Sequence, residues 1–300
     1  MSNQEPFSTA GFARLEDGLH RVSQYATNHG ARFRFDVQND RDIAHEKDVP
    51  MFAASLSKLP LAAVVSIERP KGNKEHVTIF SNDVKLDEAG QFDHVNPGEG
   101  PIQYPIEQSV NDVMIAMLGR SSNAAFRVLT KNRAPELQDA YARHGWHNTT
   151  LIPKEDGKVE IGTTTPEEAL AQLQLLSILG STKANRTARA AVEGLHTVTD
   201  TTHGLGVYDL TDADVLRKLG RYNGDPDDPY VYRHEVARVV TDEGAIDYAF
   251  MVQSERYSSK TSSLWQRRIA NRILAKASGE VASYVGLERP RLLGLRALTS

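Results

Sequence analysis

The chain has 300 residues, 40% of them hydrophobic and 25% charged, enough to bury a full core in one large domain or two lobes. Its 35 basic and 39 acidic residues leave a net charge of −4, so no basic field exists to hold a nucleic-acid backbone. Cysteine is absent, which excludes disulfides, thiolate metal sites and a cysteine nucleophile, and the ten histidines form no His-Glu-x-x-His pair, so neither a metal nor another cofactor is expected.

The opening segment MSNQEPFSTAGFARLEDG lacks a charged head followed by an apolar core, and no later run is long enough to span a bilayer. Taken as it stands, the protein is expected to be cytoplasmic and free of membrane contact; a mature form trimmed of an export signal would look the same and would be secreted or periplasmic. Phe12, Leu15, Leu19, Val22 and Tyr25 recur at helical spacing and predict a helix to about Asn28. RFRFDVQ alternates Phe33, Phe35 and Val37 with polar residues and predicts a strand; after the turn-like NDRD a second strand runs up to Phe52.

In the apolar run from Met51 to Val65, Ser55 stands near a helix start with Lys58 three residues on. Positions i and i+3 share a helix face, so the Lys58 amine can reach the Ser55 hydroxyl, and the helix N-terminus adds N–H groups where an oxyanion would develop. This is the chain's one Ser-x-x-Lys. A chain of this length supplies roughly one such match by chance, and a capping serine with a solvated lysine explains it equally well when it stands alone.

From Glu68 to Pro105 the sequence reads as loops with at most a short strand at HVTIF. A stripe of Ile106, Val110, Val113, Met114, Met117 and Leu118 predicts a helix, GRSS breaks it, and a new helix begins at about Asn123. Ser121 and Asn123 are thereby placed in an inter-helix turn. A loop over Asn148 to Gly162 leads into TTTPEEALAQLQLLSIL, whose Thr-Pro-Glu-Glu start and leucine stripe predict a long helix. The chain closes with three β-type runs, VLRKLG, HEVARVV and AIDYAFMVQ, and a helix from about Ser263 to Lys276.

Strands at both ends with helices between predict an α+β fold of three α/β/α layers: an antiparallel sheet from both termini, with an all-helical lobe inserted. The expected division is a sheet lobe of residues 1–68 and 205–300, a helical lobe of 69–204, and an active site between them.

Three motifs in this order, Ser55-Leu56-Ser57-Lys58, Ser121-Ser122-Asn123 and Lys218-Leu219-Gly220, resemble those of the penicillin-recognising serine hydrolases, above all the class A β-lactamases. GEGPIQ and TTTPEEA are similar to family segments too, so the resemblance covers most of the chain. Lys260-Thr261-Ser262 is closer by letter to the family's third motif, but only Lys218 stands on a strand followed by two more strands and a helix.

The resemblance implies roles. Ser55 would attack an amide or ester carbonyl, with a neutral Lys58 as base. Ser121 would relay a proton to the leaving group, and Asn123, Lys218, Leu219, Gly220 and Arg221 would bind substrate. The N–H groups of Ser55 and Arg221 would form the oxyanion hole. His234 and Glu235, on the next strand, are taken as structural.

The chain departs from the family in three places. Leu219 replaces a hydroxyl, Ser122 replaces Asp, and the loop before TTTP is short. In that loop Glu155 falls at the matching distance for the family's deacylating carboxylate, Glu160 lies nearer the helix, and Gly162 replaces the Asp that closes the loop. The expected protein is a serine hydrolase acting on a β-lactam or related small-molecule or peptide amide or ester, with acylation better supported than deacylation. A D-alanyl-D-alanine carboxypeptidase or other penicillin-binding-type peptidase, and a non-catalytic binding protein that keeps the fold, remain open. Oligomeric state is not legible.

Overall fold

The computed structural model describes residues 7–81, 105–155, 157–198, 204–208, 210–223, 230–255 and 262–287. Helix α1 (Thr9–Asn28) starts where Ser8 accepts from Gly11 N at 3.0 Å, and buries Phe12, Leu15, Leu19 and Val22, the stripe its spacing predicts. Strands β1 (Ala31–Gln38) and β2 (Asp42–His45) form a hairpin across the NDRD turn. Three long strands follow near the other end of the chain: β9 (Asp214–Tyr222), β10 (Tyr230–Thr241) and β11 (Gly244–Glu255).

Together they make a five-stranded antiparallel sheet in the order β2-β1-β11-β10-β9. The two ends of the chain meet where β1 pairs with β11, Phe35 opposite Phe250. Period-two alternation sorts the strands between two cores. Tyr248, Phe250 and Val252 join α1 and α8 (Ser262–Tyr284) on one face, while Ala249 and Met251 join the helices on the other. Each fully buried large apolar side chain in these cores contributes about 1.5–3 kcal/mol.

The second face is covered by α2 (Lys58–Glu68), α3 (Val110–Gly119), α4 (Asn123–Thr130), α5 (Ala134–Arg143), α6 (Pro166–Ser181) and α7 (Arg186–His196). Leu59 and Ala63 of α2, Met114 and Met117 of α3, and Leu170 and Leu173 of α6 meet in one core. Helix α6 begins as its sequence predicts, with Thr165 accepting from Glu168 N at 3.1 Å and Pro166 at its first position.

Four local expectations change. Ile106 lies in strand β5 (Ile106–Ser109), paired with β4 (His76–Ile79), and α3 starts only after Ser109, whose hydroxyl accepts from Asp112 N. The second N-terminal strand is two pieces, β2 and the two-residue β3 (Met51–Phe52). The loop before α6 contains a hairpin of β6 (Leu151–Pro153) and β7 (Val159–Ile161), and β8 (Thr163–Thr164) then pairs with β3. The last helix runs on to Tyr284. Among the described residues no helix is long and apolar enough to cross a membrane.

Candidate active site

Pairing of β3 with β8 brings the chain to Ala53, whose N–H donates to Gly162 O at 2.9 Å. A 3-10 turn over Ala54–Ser57 follows, entered through Ala54 at φ +46° and closed by Ser57 Oγ donating to Ala54 O at 2.9 Å. Ser55 therefore sits in this turn, one residue pair before α2 begins at Lys58, and not in the α-helix itself. Edge strand β9 packs against the turn. A Cβ on Gly220 would stand 3.1 Å from His234 Cβ and 3.2 Å from Leu56 Cγ, so glycine is what lets β9 lie this close.

The Lys58 side chain is fully buried and its amine lies among four oxygens. It donates to Ser121 O and Asn123 Oδ1, each at 2.6 Å, to Ser121 Oγ at 3.1 Å, and reaches Ser55 Oγ at 3.4 Å. Ser121 adopts φ +57°, a conformation that costs a non-glycine residue about 1–3 kcal/mol. It is held there from both sides: Ser122 N donates to Ala116 O at 3.1 Å, and buried Ser122 Oγ caps α4 by accepting from Ala125 N at 3.1 Å. Asn123 is the first residue of α4 and not part of the turn.

From the sheet side, Lys218 Nζ donates to the same Ser121 Oγ at 3.0 Å and to Leu219 O at 3.3 Å. Burial pushes its pKa down to about 7. Ser55, Lys58, Ser121, Asn123 and Lys218, drawn from three separate stretches of chain, thus form one connected cluster. Leu219 alternates to the other face of β9, in register with Glu235, and Arg221 lies exposed beyond Gly220.

Two buried residues on β10 brace this arrangement. His234 is in register with Gly220; its Nε2 donates to Phe52 O at 2.9 Å and its Nδ1 accepts from Val252 N at 3.3 Å. Burial pushes its pKa down to about 4, so a neutral ring ties β3 to the sheet. Glu235 accepts from Leu205 N at 3.1 Å and Ser278 Oγ at 2.7 Å, and pairs with Arg217 at 3.6 Å.

A profile of the beta-lactamase enzyme family matches residues 14–277. The chain belongs to that family. Its fold is similar to solved β-lactamases: one from Sphaerobacter thermophilus (16% identity, 90% of this chain and 97% of that one, TM-score 0.66), a class A representative from Bacteroides cellulosilyticus (14%, 90% and 98%, 0.67) and a class A enzyme from Mycobacterium abscessus (16%, 90% and 99%, 0.65). No curated protein matches the chain.

In this β-lactamase-family chain the loop before α6 is closed by threonines. Thr150 N donates to Thr163 O at 2.9 Å, and Thr149 Oγ1 lies 2.8 Å from Thr164 Oγ1 and donates to Glu168 Oε2 at 2.7 Å. Gly162 fits because a Cβ there would meet Thr150 O at 2.6 Å. Glu155 and Glu160 are both exposed on the β6–β7 hairpin, and Glu160 pairs with Lys154. Neither glutamate joins the Ser55 cluster among the hydrogen bonds of the described residues. Residues 98–103, with Lys260 and Thr261, lie outside the described residues.

Sequence reasoning missed Arg233. Its guanidinium donates to Asn271 Oδ1 at 2.8 Å, Tyr222 O at 3.0 Å and Asn223 Oδ1 at 2.7 Å, and burial with the charges of Arg221 and Arg267 pushes its pKa down to about 10. The signal available was its place one residue before His234, on the strand next to Arg221. Among the described residues no group of three or more histidines or carboxylates is placed to hold a metal ion.

Proposed function

We propose that the chain is an acyl-transfer serine hydrolase that takes a β-lactam or a related amide or ester onto Ser55 in a cleft between the sheet lobe (1–68 and 205–300) and the helical lobe (69–204). The observation that carries this reading is the single amine of Lys58 reaching Ser55 Oγ at 3.4 Å and Ser121 Oγ at 3.1 Å, with Lys218 on that second hydroxyl at 3.0 Å. A nucleophile, its base and a proton relay are then one hydrogen-bonded path.

In the acylation step Ser55 Oγ forms a bond to the substrate carbonyl carbon as its proton passes to neutral Lys58. The oxyanion is met by the N–H groups of Ser55 and Arg221, each such donor supplying about 3–4 kcal/mol of barrier lowering. Collapse breaks the bond to the leaving nitrogen or oxygen, which takes a proton from Ser121 Oγ; that hydroxyl is refilled by Lys58 with the proton it took from Ser55. Two ammonium groups on one hydroxyl repel, which favours a neutral amine in the pair. The Arg221, Arg233 and Arg267 charges at the far end of β9 favour an anionic substrate.

Release of the acyl group is the weaker half of the cycle. Glu155 is exposed and Glu160 is engaged with Lys154, so neither is set to activate water at Ser55. The acyl-enzyme is expected to accumulate. Intact-mass spectrometry after incubation with a fluorescent penicillin tests this: a stable stoichiometric adduct is expected on the native chain and none on Ser55→Ala. An unlabelled native chain, or equal labelling of both, would remove the reading.

A further inference from the structure

The outer side of helix α1 carries Arg14, Glu16, Asp17 and Arg21, the charged residues usual on a solvated face. Beside them a second strip follows the helical period, His20, Ser23, Gln24, Thr27 and Asn28, and none of these five is a lysine, arginine or carboxylate. Serine and threonine are weaker helix formers than the Lys or Glu of an ordinary outer face, so helix stability does not account for the strip.

With His45 of edge strand β2, the strip lines a groove of about 550 Å³. A second space of about 310 Å³ shares Ser23, Thr27 and His45 and continues past Arg32, Arg34 and Glu46. Together they have the size of a small-ligand site, about 300–1,000 Å³. His20 and His45 stand over one buried ring, Phe35, with centroids 6.5 and 5.9 Å from it. Little of the polar lining is used by the fold. Thr27 Oγ1 donates to Ser23 O at 3.1 Å, and Glu46 accepts from Arg34 Nε at 2.9 Å. Among the described residues the side chains of His20, Ser23, Gln24, Asn28, Arg32 and His45 make no hydrogen bond or ion pair.

Hydroxyl, amide and imidazole groups each present a donor and an acceptor, and Gln24 and Asn28, one turn apart, can each hold two neighbouring hydroxyls. A ligand built of hydroxyls matches such groups fully, whereas a bare ion matches only half of each. The carboxylate of Glu46 is held by Arg34, which leaves Arg32 as the charge able to meet an anionic group. We propose that this groove binds a short saccharide, with an acidic sugar unit toward Arg32. The site is separate from the Ser55 cluster. Strands β2 and β9 are opposite edges of the sheet, roughly 19 Å apart at four strand spacings, and His45 with Phe35 faces α1 whereas Lys218 with Val236 faces the helical layer. The groove therefore holds a saccharide and does not supply the acylated group, and it stands whether or not Ser55 is acylated.

Isothermal titration of the full chain with chitotriose and with trigalacturonate tests it, with sodium phosphate as the plain anion. The native chain is expected to bind both sugars, trigalacturonate about tenfold tighter. Gln24→Ala and Asn28→Ala should each weaken both about tenfold, the value of one or two hydrogen bonds. Arg32→Gln should bring trigalacturonate down to the level of chitotriose. All three positions are exposed, and equal thermal unfolding midpoints check that the variants stay folded. Failure of both sugars to bind, binding that survives both alanine variants, or phosphate bound as tightly as trigalacturonate would overturn the site.

Discussion

Lys218 is the residue at which stability and function pull in opposite directions. In an unfolded chain its amine titrates near about 10.4, whereas burial holds it at about 7 in the fold. Between those values the unfolded chain carries a proton that the folded chain does not, so stability rises with pH through this window; below it the full cost of a buried ammonium is present. Lys218→Met is therefore expected to stabilise the protein by roughly 1–4 kcal/mol at acid pH, with the gap closing as the pH climbs above neutrality, measured by urea unfolding. A gap that does not depend on pH would mean that the amine is not titrating as its burial requires. The same proton governs substrate charge. As pH rises through about 7, acylation by an anionic penicillin should fall relative to acylation by a neutral ester, because Lys218 loses the charge that attracts a carboxylate.

At the scale of elements, the two-residue pair β3–β8 controls where the Ser55 turn begins, and Gly162 controls that pair. Its carbonyl accepts from Ala53 N at 2.9 Å, while the space for its Cβ is taken by Thr150 O at 2.6 Å. Gly162→Ala must push backbone against backbone, so a loss of about 1–3 kcal/mol is expected in thermal unfolding, with slower labelling of Ser55 by penicillin. A neutral substitution would show that the loop is free to shift.

The same elements explain what was legible in the sequence. Helix α1 declares itself by its stripe and strand β1 by its alternation, whereas β10 and β11, buried on both faces, read as near-continuous runs rich in β-formers. The start of α3 does not declare itself, since Ile106 falls in step with Val110 but is claimed by β4, a partner some thirty positions earlier. Strands β6, β7 and β8 are too short to show a period. The cluster around Ser55 was legible through residue types in a family order. The packing of Phe52 on Tyr222 and Tyr232 was not, because these rings meet only after the termini are joined in one sheet.

At the scale of the whole molecule, one buried ion pair ties together parts that the sheet alone does not connect. Arg217 on β9 and Glu235 on β10 leave 4% and 0% of their side chains exposed. Arg217 Nη2 donates to Val198 O, just past the end of α7, at 3.1 Å. Glu235 takes the Leu205 N–H of the short turn before β9 and the Ser278 hydroxyl of α8. The helical layer, the sheet and the outer helix are therefore fastened at one point, directly behind Lys218 and His234. Desolvating both charges costs nearly what their attraction returns, so the pair itself adds little stability, but removing one partner strands the other. Glu235→Gln is expected to cost about 3–5 kcal/mol by removing the carboxylate that faces the buried Arg217 guanidinium. The double variant Arg217→Met/Glu235→Gln should recover most of that loss, since a neutral amide oxygen still accepts from Leu205 N and Ser278 Oγ. Urea unfolding of the two single variants and the double variant closes the cycle, and strictly additive costs would show that the two charges do not act as a pair.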